Sequence, residues 1–121
     1  MSKKEIGYWI STIIFCVIFA GAGIANLIQV EPQKEVIQGL GYPVYLMTIL
    51  GIAKTLGVVA LLLPKTPRLK EWAYAGFAFD MIGAAMSHIF AGDSIVSIIP
   101  PIVIGGIGTA SYLLRPEVRR L

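Results

Sequence analysis

The sequence predicts an all-α fold, a bundle of four transmembrane helices with both termini in the cytoplasm. Of the 121 residues, 56% are hydrophobic and only 14% are charged, whereas soluble domains contain about 25% charged residues. A helix needs about 20 apolar residues to cross the bilayer core, and four stretches reach that length. Turn residues separate these stretches in "QGLGYP", "PKTP" and "AGDS". We therefore predict a single membrane domain over residues 1–121.

The predicted spans, in chain order, cover residues 6–28, 43–63, 72–91 and 94–114. The first span follows the basic pair Lys3 and Lys4, so it could also be interpreted as the hydrophobic region of a secretory signal peptide. Its apolar run is longer than such a region, which favours a span. After this span, Pro32 and Gly39 are typical of the start and the end of a short helix lying on the external surface.

The basic residues predict the orientation. Eight of the ten lie on one side of the predicted membrane, namely Lys3, Lys4, Lys65, Arg68, Lys70, Arg115, Arg119 and Arg120. The positive-inside rule makes that side cytoplasmic, together with both termini and the 64–71 loop. The net charge of +3 is thereby explained by orientation in the bilayer, and we predict no nucleic-acid partner.

Polar residues recur on one face of the third span. Four residues share that face at a spacing of four: Gly76, Asp80, Ala84 and His88. The opposite face carries Phe77, Met81, Ile82 and Ile89. Because intramembrane charges normally face the interior of a bundle, we predict that the Asp80 face points inward and the Phe77 face points to lipid.

Lys54 lies near the middle of the second span. A helical rise of about 1.5 Å per residue puts Lys54 about 15 Å and Asp80 about 12 Å from the same cytoplasmic end. Each charge alone would cost several kcal/mol at this depth, so we predict an ion pair or a hydrogen bond between them. The pair has two interpretations. It either contributes to a ligand or proton site, or it only holds the helices in register.

The fourth span is interrupted by Pro100 and Pro101, which cannot donate to the carbonyl groups of Val96 and Ser97. Water, a side chain or a ligand must then bind these carbonyl groups. His88 and Asn26 lie at a similar external depth. We therefore predict a polar cavity that opens outward and has the Lys54–Asp80 pair as its floor. The candidate ligand-binding or proton-relay residues are Lys54, Asp80, His88, Asn26 and Ser97.

Other kinds of site receive no support. The single cysteine, Cys16, lies in an apolar run and is interpreted as a buried core residue. His88 has no second histidine, cysteine or carboxylate at metal-ligand spacing, so no metal site is predicted. The sequence contains no phosphate loop, GxSxG or HExxH motif, and no catalytic residue is identified.

The chain resembles the DoxX-like family of small bacterial membrane proteins. The matching stretches are "YWISTIIFCVIFAGAGIANL", "GLGYPVYLMTILGIAKTLGVVALLLP", "PRLKEWAYAGFAFDMIGAAMSHIFAGD" and "PPIVIGGIGTASYLLRP". Together they extend over about residues 8–116. The resemblance implies a four-helix bundle in the bacterial inner membrane. It also implies a link to redox chemistry, since one relative is a subunit of an archaeal thiosulfate:quinone oxidoreductase. Similar four-helix proteins act as sterol isomerases, chaperones and cargo receptors.

Three functional hypotheses follow. In the first, the protein binds a hydrophobic or quinone-like molecule in the polar cavity, as a partner subunit of a redox enzyme; quinone is the one cofactor implied. In the second, it is a structural or chaperone-like membrane subunit with no chemistry of its own. In the third, it is a proton-coupled transporter. Four spans are few for a transporter, so this role would require a homodimer through the small-residue face of span four, made by Gly105, Gly106, Gly108 and Thr109.

Overall fold

The computed structural model of the protein describes residues 1–119, which are mostly helical and contain no β-strand. This confirms the all-α prediction. The α-helices are α1 (Lys3–Leu27), α2 (Glu31–Gly39), α3 (Tyr45–Leu62), α4 (Pro67–Phe90) and α5 (Ile99–Leu113). Two 3-10 segments cover Ile95–Ser97 and Glu117–Arg119. Arg120, which the orientation prediction counts, lies outside the described residues.

Local sequence explains where these helices begin and end. The Ser2 hydroxyl accepts a hydrogen bond from the backbone N–H of Glu5 at 3.1 Å and so caps α1. Prolines occupy the first turns of α2, α4 and α5, where a missing N–H leaves no helical bond unmade. At the end of α3, Leu63 is extended because Pro64 follows it.

The four long helices surround a common core in the order α1, α3, α4, α5. In this ring α1 packs against α3 and α5, and α4 packs against the same two helices from the other side. The short helix α2 packs against α1. As a result, α3 and α5 lie on opposite sides of α4.

The centre of the bundle is an aromatic cluster of Phe15, Phe19 and Phe77. The Phe77 ring centroid lies 5.2 Å from that of Phe15 and 4.3 Å from that of Phe19. Gly57 makes room for it, since a Cβ atom there would lie 2.5 Å from the Phe77 ring. Phe77 is therefore 4% exposed, and the prediction that it faces lipid was wrong. Because the Phe77 ring packs against α1 and α3, α4 is rotated so that Asp80 lies at the α3–α4 contact instead of at the bundle centre.

α5 begins later than the fourth predicted span. Residues Ile95–Ser97 form a 3-10 segment, and the α-helix begins at Ile99. Pro100 and Pro101 thus lie in its first turn and do not break a helix in progress, which corrects the prediction.

Lys70, one of the basic residues on the predicted cytoplasmic side, is only 1% exposed. Its Nζ donates hydrogen bonds to the carbonyl oxygen of Ala60 at 3.0 Å, to Thr66 Oγ1 at 2.8 Å, and to the carbonyl oxygen of Leu63. These bonds satisfy carbonyl groups that the end of α3 leaves free. Lys70 therefore stabilises the α3–α4 turn.

Arg119 closes the same end of the bundle. Its Nε donates to the Tyr8 hydroxyl at 2.7 Å, and its Nη2 donates to the carbonyl oxygen of Leu61 at 2.5 Å. These contacts tie the segment after α5 to both α1 and α3.

Among the described residues, three helical segments are long and apolar enough to cross a membrane: Lys3–Leu27, Tyr45–Leu62 and Ile95–Leu113. α4 is not among them, although its 24 residues give it sufficient length. Asp80 and His88 lower its hydropathy. Three candidate spans are thus established by length and composition.

Candidate functional site

Lys54 of α3 lies at the centre of a chain of polar contacts that joins four helices. Its Nζ donates to Asn26 Oδ1 of α1 at 3.0 Å and lies 3.9 Å from Asp80 Oδ2 of α4. The Nδ2 group of Asn26 donates in turn to Gln33 Oε1 of α2 at 3.1 Å. The predicted Lys54–Asp80 ion pair is therefore present, with Asn26 as the closer partner of Lys54.

Two glycines bring these side chains together. α1 and α3 approach closely at Gly23 and Gly51, where a Cβ atom on Gly51 would lie 2.8 Å from the Gly23 carbonyl oxygen. Asn26 and Lys54 each follow one of these glycines by three residues, which places each of them about one turn from the close approach. The close backbone contact thus sets the Asn26–Lys54 hydrogen bond.

Asp80 is incompletely satisfied. Its side chain is 18% exposed, yet the Oδ2 atom is buried and accepts no hydrogen bond from any described residue. Buried carboxylate oxygens normally accept hydrogen bonds, because a charge removed from water without them is costly. Apart from the charge of Lys54 at 3.9 Å, Oδ2 is free to accept a bond from a donor beside it.

These groups line a cavity of about 480 Å³ between α2, α3 and α4. This volume lies in the range of small-molecule sites. Its polar lining consists of Asn26, Gln33, Tyr42, Lys54, Asp80, Ser87 and His88. Its apolar lining includes Val36, Ile37, Leu40, Leu46, Leu50, Phe79 and Met81. A few polar groups on an apolar surface suit a ligand that is itself mostly apolar.

His88 lies at the other end of this cavity from the ion pair. Its Nδ1 lies 2.7 Å from Asp93 Oδ2, so the carboxylate accepts a hydrogen bond from the Nδ1–H group and orients the ring. Beside it, the Ser87 hydroxyl donates to the Gly83 carbonyl oxygen at 2.7 Å and lies 2.6 Å from the Tyr42 hydroxyl. The cavity thus has an ion pair at one end and a histidine–carboxylate pair at the other.

Four of the five predicted site residues line the cavity: Asn26, Lys54, Asp80 and His88. Ser97 does not, because it lies in the 3-10 segment before α5, across α4 from the cavity. Sequence reasoning missed Gln33 and the role of Asp93. Asp93 follows His88 by five residues across a turn, and this spacing was the available signal. Gln33 carries no comparable signal, because only the packing of α2 brings it to Asn26.

Within residues 1–119, no three histidine, cysteine, aspartate or glutamate side chains come close enough together to hold a metal ion. The polar groups of the cavity are hydrogen-bond donors and acceptors, which suits an organic ligand with a polar headgroup.

Comparison with known proteins identifies the family. No curated protein and no solved structure matches the chain. The profile of the DoxX-like family matches residues 10–111, a range that includes every residue lining the cavity. The chain therefore belongs to the DoxX-like family.

Proposed function

We propose that all four long helices cross the inner membrane of a bacterial cell, with both termini in the cytoplasm. At a rise of about 1.5 Å per residue, α4 is about 36 Å long, which is sufficient for the bilayer core. Apart from Arg68 near its start, its large exposed side chains are apolar and include Trp72, Phe79, Ile82 and Phe90. This surface supports contact with lipid despite the polar residues at the α3 contact.

Cysteine labelling tests this topology. We expect Glu35→Cys on α2 to react with a membrane-impermeant maleimide in intact cells. Lys4→Cys should react only after the membrane is permeabilised. The native Cys16 is buried and serves as the background control. Labelling of Lys4→Cys in intact cells would refute the orientation.

We further propose that the protein binds a hydrophobic, quinone-like molecule in the cavity between α2, α3 and α4. The observation that carries this proposal is the buried Asp80 Oδ2, which lacks a hydrogen-bond donor beside a cavity of about 480 Å³. A ligand hydroxyl would supply that donor, and the Lys54 ammonium group would donate to a ligand carbonyl. At the mouth, the His88–Asp93 pair would exchange protons with external water.

The family resemblance implies association with a redox enzyme. In such an association, the bound molecule would carry electrons for that enzyme. This protein would then contribute the binding site, while the partner subunit would carry out the electron transfer. Copurification with a redox complex from the native membrane, dependent on the cavity residues, would support this arrangement.

Ligand binding is tested by the thermal unfolding of the purified protein in detergent. The probes are benzoquinones and naphthoquinones, each in its oxidised and its hydroquinone form. A ligand at hundredfold excess over its Kd stabilises the folded state by about 2.7 kcal/mol. We expect such a shift for the native protein and for the exposed control Arg68→Gln, and its loss for Asp80→Asn. An absence of stabilisation across the whole series would overturn the proposal.

The alternative is a structural or chaperone-like subunit, and one observation favours it. Lys54 already has partners within the chain, since its Nζ donates to Asn26 and lies 3.9 Å from Asp80 Oδ2, and these contacts link three long helices. Buried polar links of this kind can fix helix register without binding a ligand. If the double variant Lys54→Met, Asp80→Asn is stable and retains its cellular role, the pair is only structural.

Dimerisation through α5 is a separate proposal. Gly108 packs against Phe15 inside the bundle, so it is not available to a second copy. Gly106 has open space around its Cβ position and would be the contact point. Cross-linking in membranes, compared with Gly106→Leu, tests this contact.

A further inference from the structure

A second cavity of about 490 Å³ lies between α3 and α4, in the half of these helices that leads to their connecting turn. We call it the α3–α4 groove; its lining includes Leu56 and Ala60 of α3 and Leu69, Trp72 and Gly76 of α4. The groove and the polar cavity share the residues Leu50, Lys54, Phe79 and Asp80. The two spaces therefore meet at the ion pair.

Apart from Lys54 and Asp80, every residue that lines the groove is apolar or glycine, with the indole N–H of Trp72 as the remaining polar group. Its rim is open to the surroundings of the bundle, since Trp72 is 69% exposed and Phe79 is 75% exposed. From Leu69 to Asp80 the groove follows twelve residues of α4, an axial length of about 16 Å, which accommodates a short isoprenoid chain.

We propose that the ligand is an amphiphile with a single chain, whose headgroup lies at the Lys54–Asp80 pair and whose chain lies in the α3–α4 groove. This inference rests on the proposed function, because it assumes that the headgroup binds in the polar cavity. The ligand enters sideways from the bilayer between α3 and α4. Its headgroup reaches the middle of the bundle, and its chain extends toward the inner leaflet.

The chain gains little free energy by leaving lipid for the groove, because lipid tails are as apolar as the side chains of the groove. The headgroup accordingly provides the affinity, and the groove determines the position and orientation of the chain. The position of the chain, and not the binding constant, is therefore the quantity to measure.

Two glycines allow each space to be filled separately. Gly76 lines the groove and Gly83 lines the polar cavity, and a Cβ atom on either would meet no atom within 4 Å. Leucine at either position therefore occupies the space without a clash at its Cβ. Gly21 on α1 also has open space around it but lines neither cavity, so Gly21→Leu is the matched control.

The experiment uses the full chain in lipid nanodiscs with two photoreactive benzoquinone probes. One probe carries a diazirine on the headgroup and the other carries it at the end of an isoprenoid chain. Labelled peptides are identified by mass spectrometry. In the native protein and in Gly21→Leu, we expect the headgroup probe to label residues of the polar cavity and the chain probe to label Leu56, Leu69 or Trp72.

Gly76→Leu should lose most of the chain label from the groove while retaining the headgroup label. Gly83→Leu should lose both. If the headgroup probe labels the polar cavity but the chain probe labels all lipid-facing surfaces equally, only ordinary lipid occupies the groove. That outcome overturns this inference and leaves the proposed function standing. If neither probe labels its space above the level of an inert diazirine lipid, both proposals fail.

Discussion

The Lys54–Asp80 pair predicts an asymmetric response to substitution. At 3.9 Å and an effective dielectric constant of about 20, the attraction between the two charges is about 4 kcal/mol. Desolvation of the two side chains, which are 15% and 18% exposed, offsets much of this attraction. The net effect of the pair is therefore small, whereas removal of one partner leaves an uncompensated buried charge.

Lys54→Met should be the more damaging change. It removes the counter-ion of Asp80, whose Oδ2 already accepts no hydrogen bond, and we expect a loss of about 3–5 kcal/mol of unfolding free energy. Asp80→Asn should cost less, because Lys54 keeps its 3.0 Å hydrogen bond to Asn26. The double variant should lose less than the sum of the single variants, with a coupling energy of about 2 kcal/mol.

The assay is reversible unfolding of each variant in mixed micelles, analysed as a double-mutant cycle. Lys4→Met, at an exposed position in the first turn of α1, is the control and should change the stability by less than about 0.5 kcal/mol. Additive effects of the two site substitutions, within about 0.5 kcal/mol, would show that the side chains do not interact and would refute the reasoning.

Three further predictions concern packing, buried hydrogen bonds and ligand form. Gly57→Ala places a Cβ atom 2.5 Å from the Phe77 ring and should lower the unfolding free energy by about 1–3 kcal/mol. Gly76→Ala meets no atom and should stabilise α4 by up to about 1 kcal/mol. Comparable thermal stabilities of the two variants would contradict this prediction. Ser111→Ala leaves the buried hydroxyls of Tyr74 and Thr12 without their shared partner and should cost about 1–3 kcal/mol in chemical unfolding. A hydroquinone should stabilise the protein more than its quinone, because it offers a donor to the unpartnered Asp80 oxygen; in a thermal-shift titration, the reverse order would count against that contact.

The sequence indicated more of the site than its weak motifs suggest. The Lys54–Asp80 pair is predicted from the similar depth of the two residues on consecutive spans and from the cost of an unpaired charge there, because helical rise converts residue number into distance along a span. Asn26 and His88 were placed in the external half by the same reasoning, and both line the cavity. Ser97 has a similar depth but lies on the wrong side of α4. Depth is a local property of one helix, whereas the position of a helix around the bundle is not.

The rotation of α4 shows the same distinction. Spacing of four puts Gly76, Asp80 and His88 on one face, but it does not identify the neighbour that this face meets. The packing of Phe77 against Gly57 and the aromatic rings of α1 determines the rotation of α4 and turns Asp80 toward α3. The orientation of Lys70 likewise depends on a neighbouring helix, since its side chain turns inward to bind free carbonyl groups at the end of α3.

By itself, the sequence determined the all-α class, the family, the approximate helix positions and the residues that share a depth. The class, the helix positions and the shared depths follow from composition, local turn chemistry and helical periodicity, which act between residues close in the chain. The family follows from the match of residues 10–111 to the family profile. Only the tertiary structure decided which faces meet, that Asn26 is the nearest partner of Lys54, and that the polar cavity continues into an apolar groove. Those features depend on side-chain volumes brought together from separate helices, which periodicity along one helix does not encode.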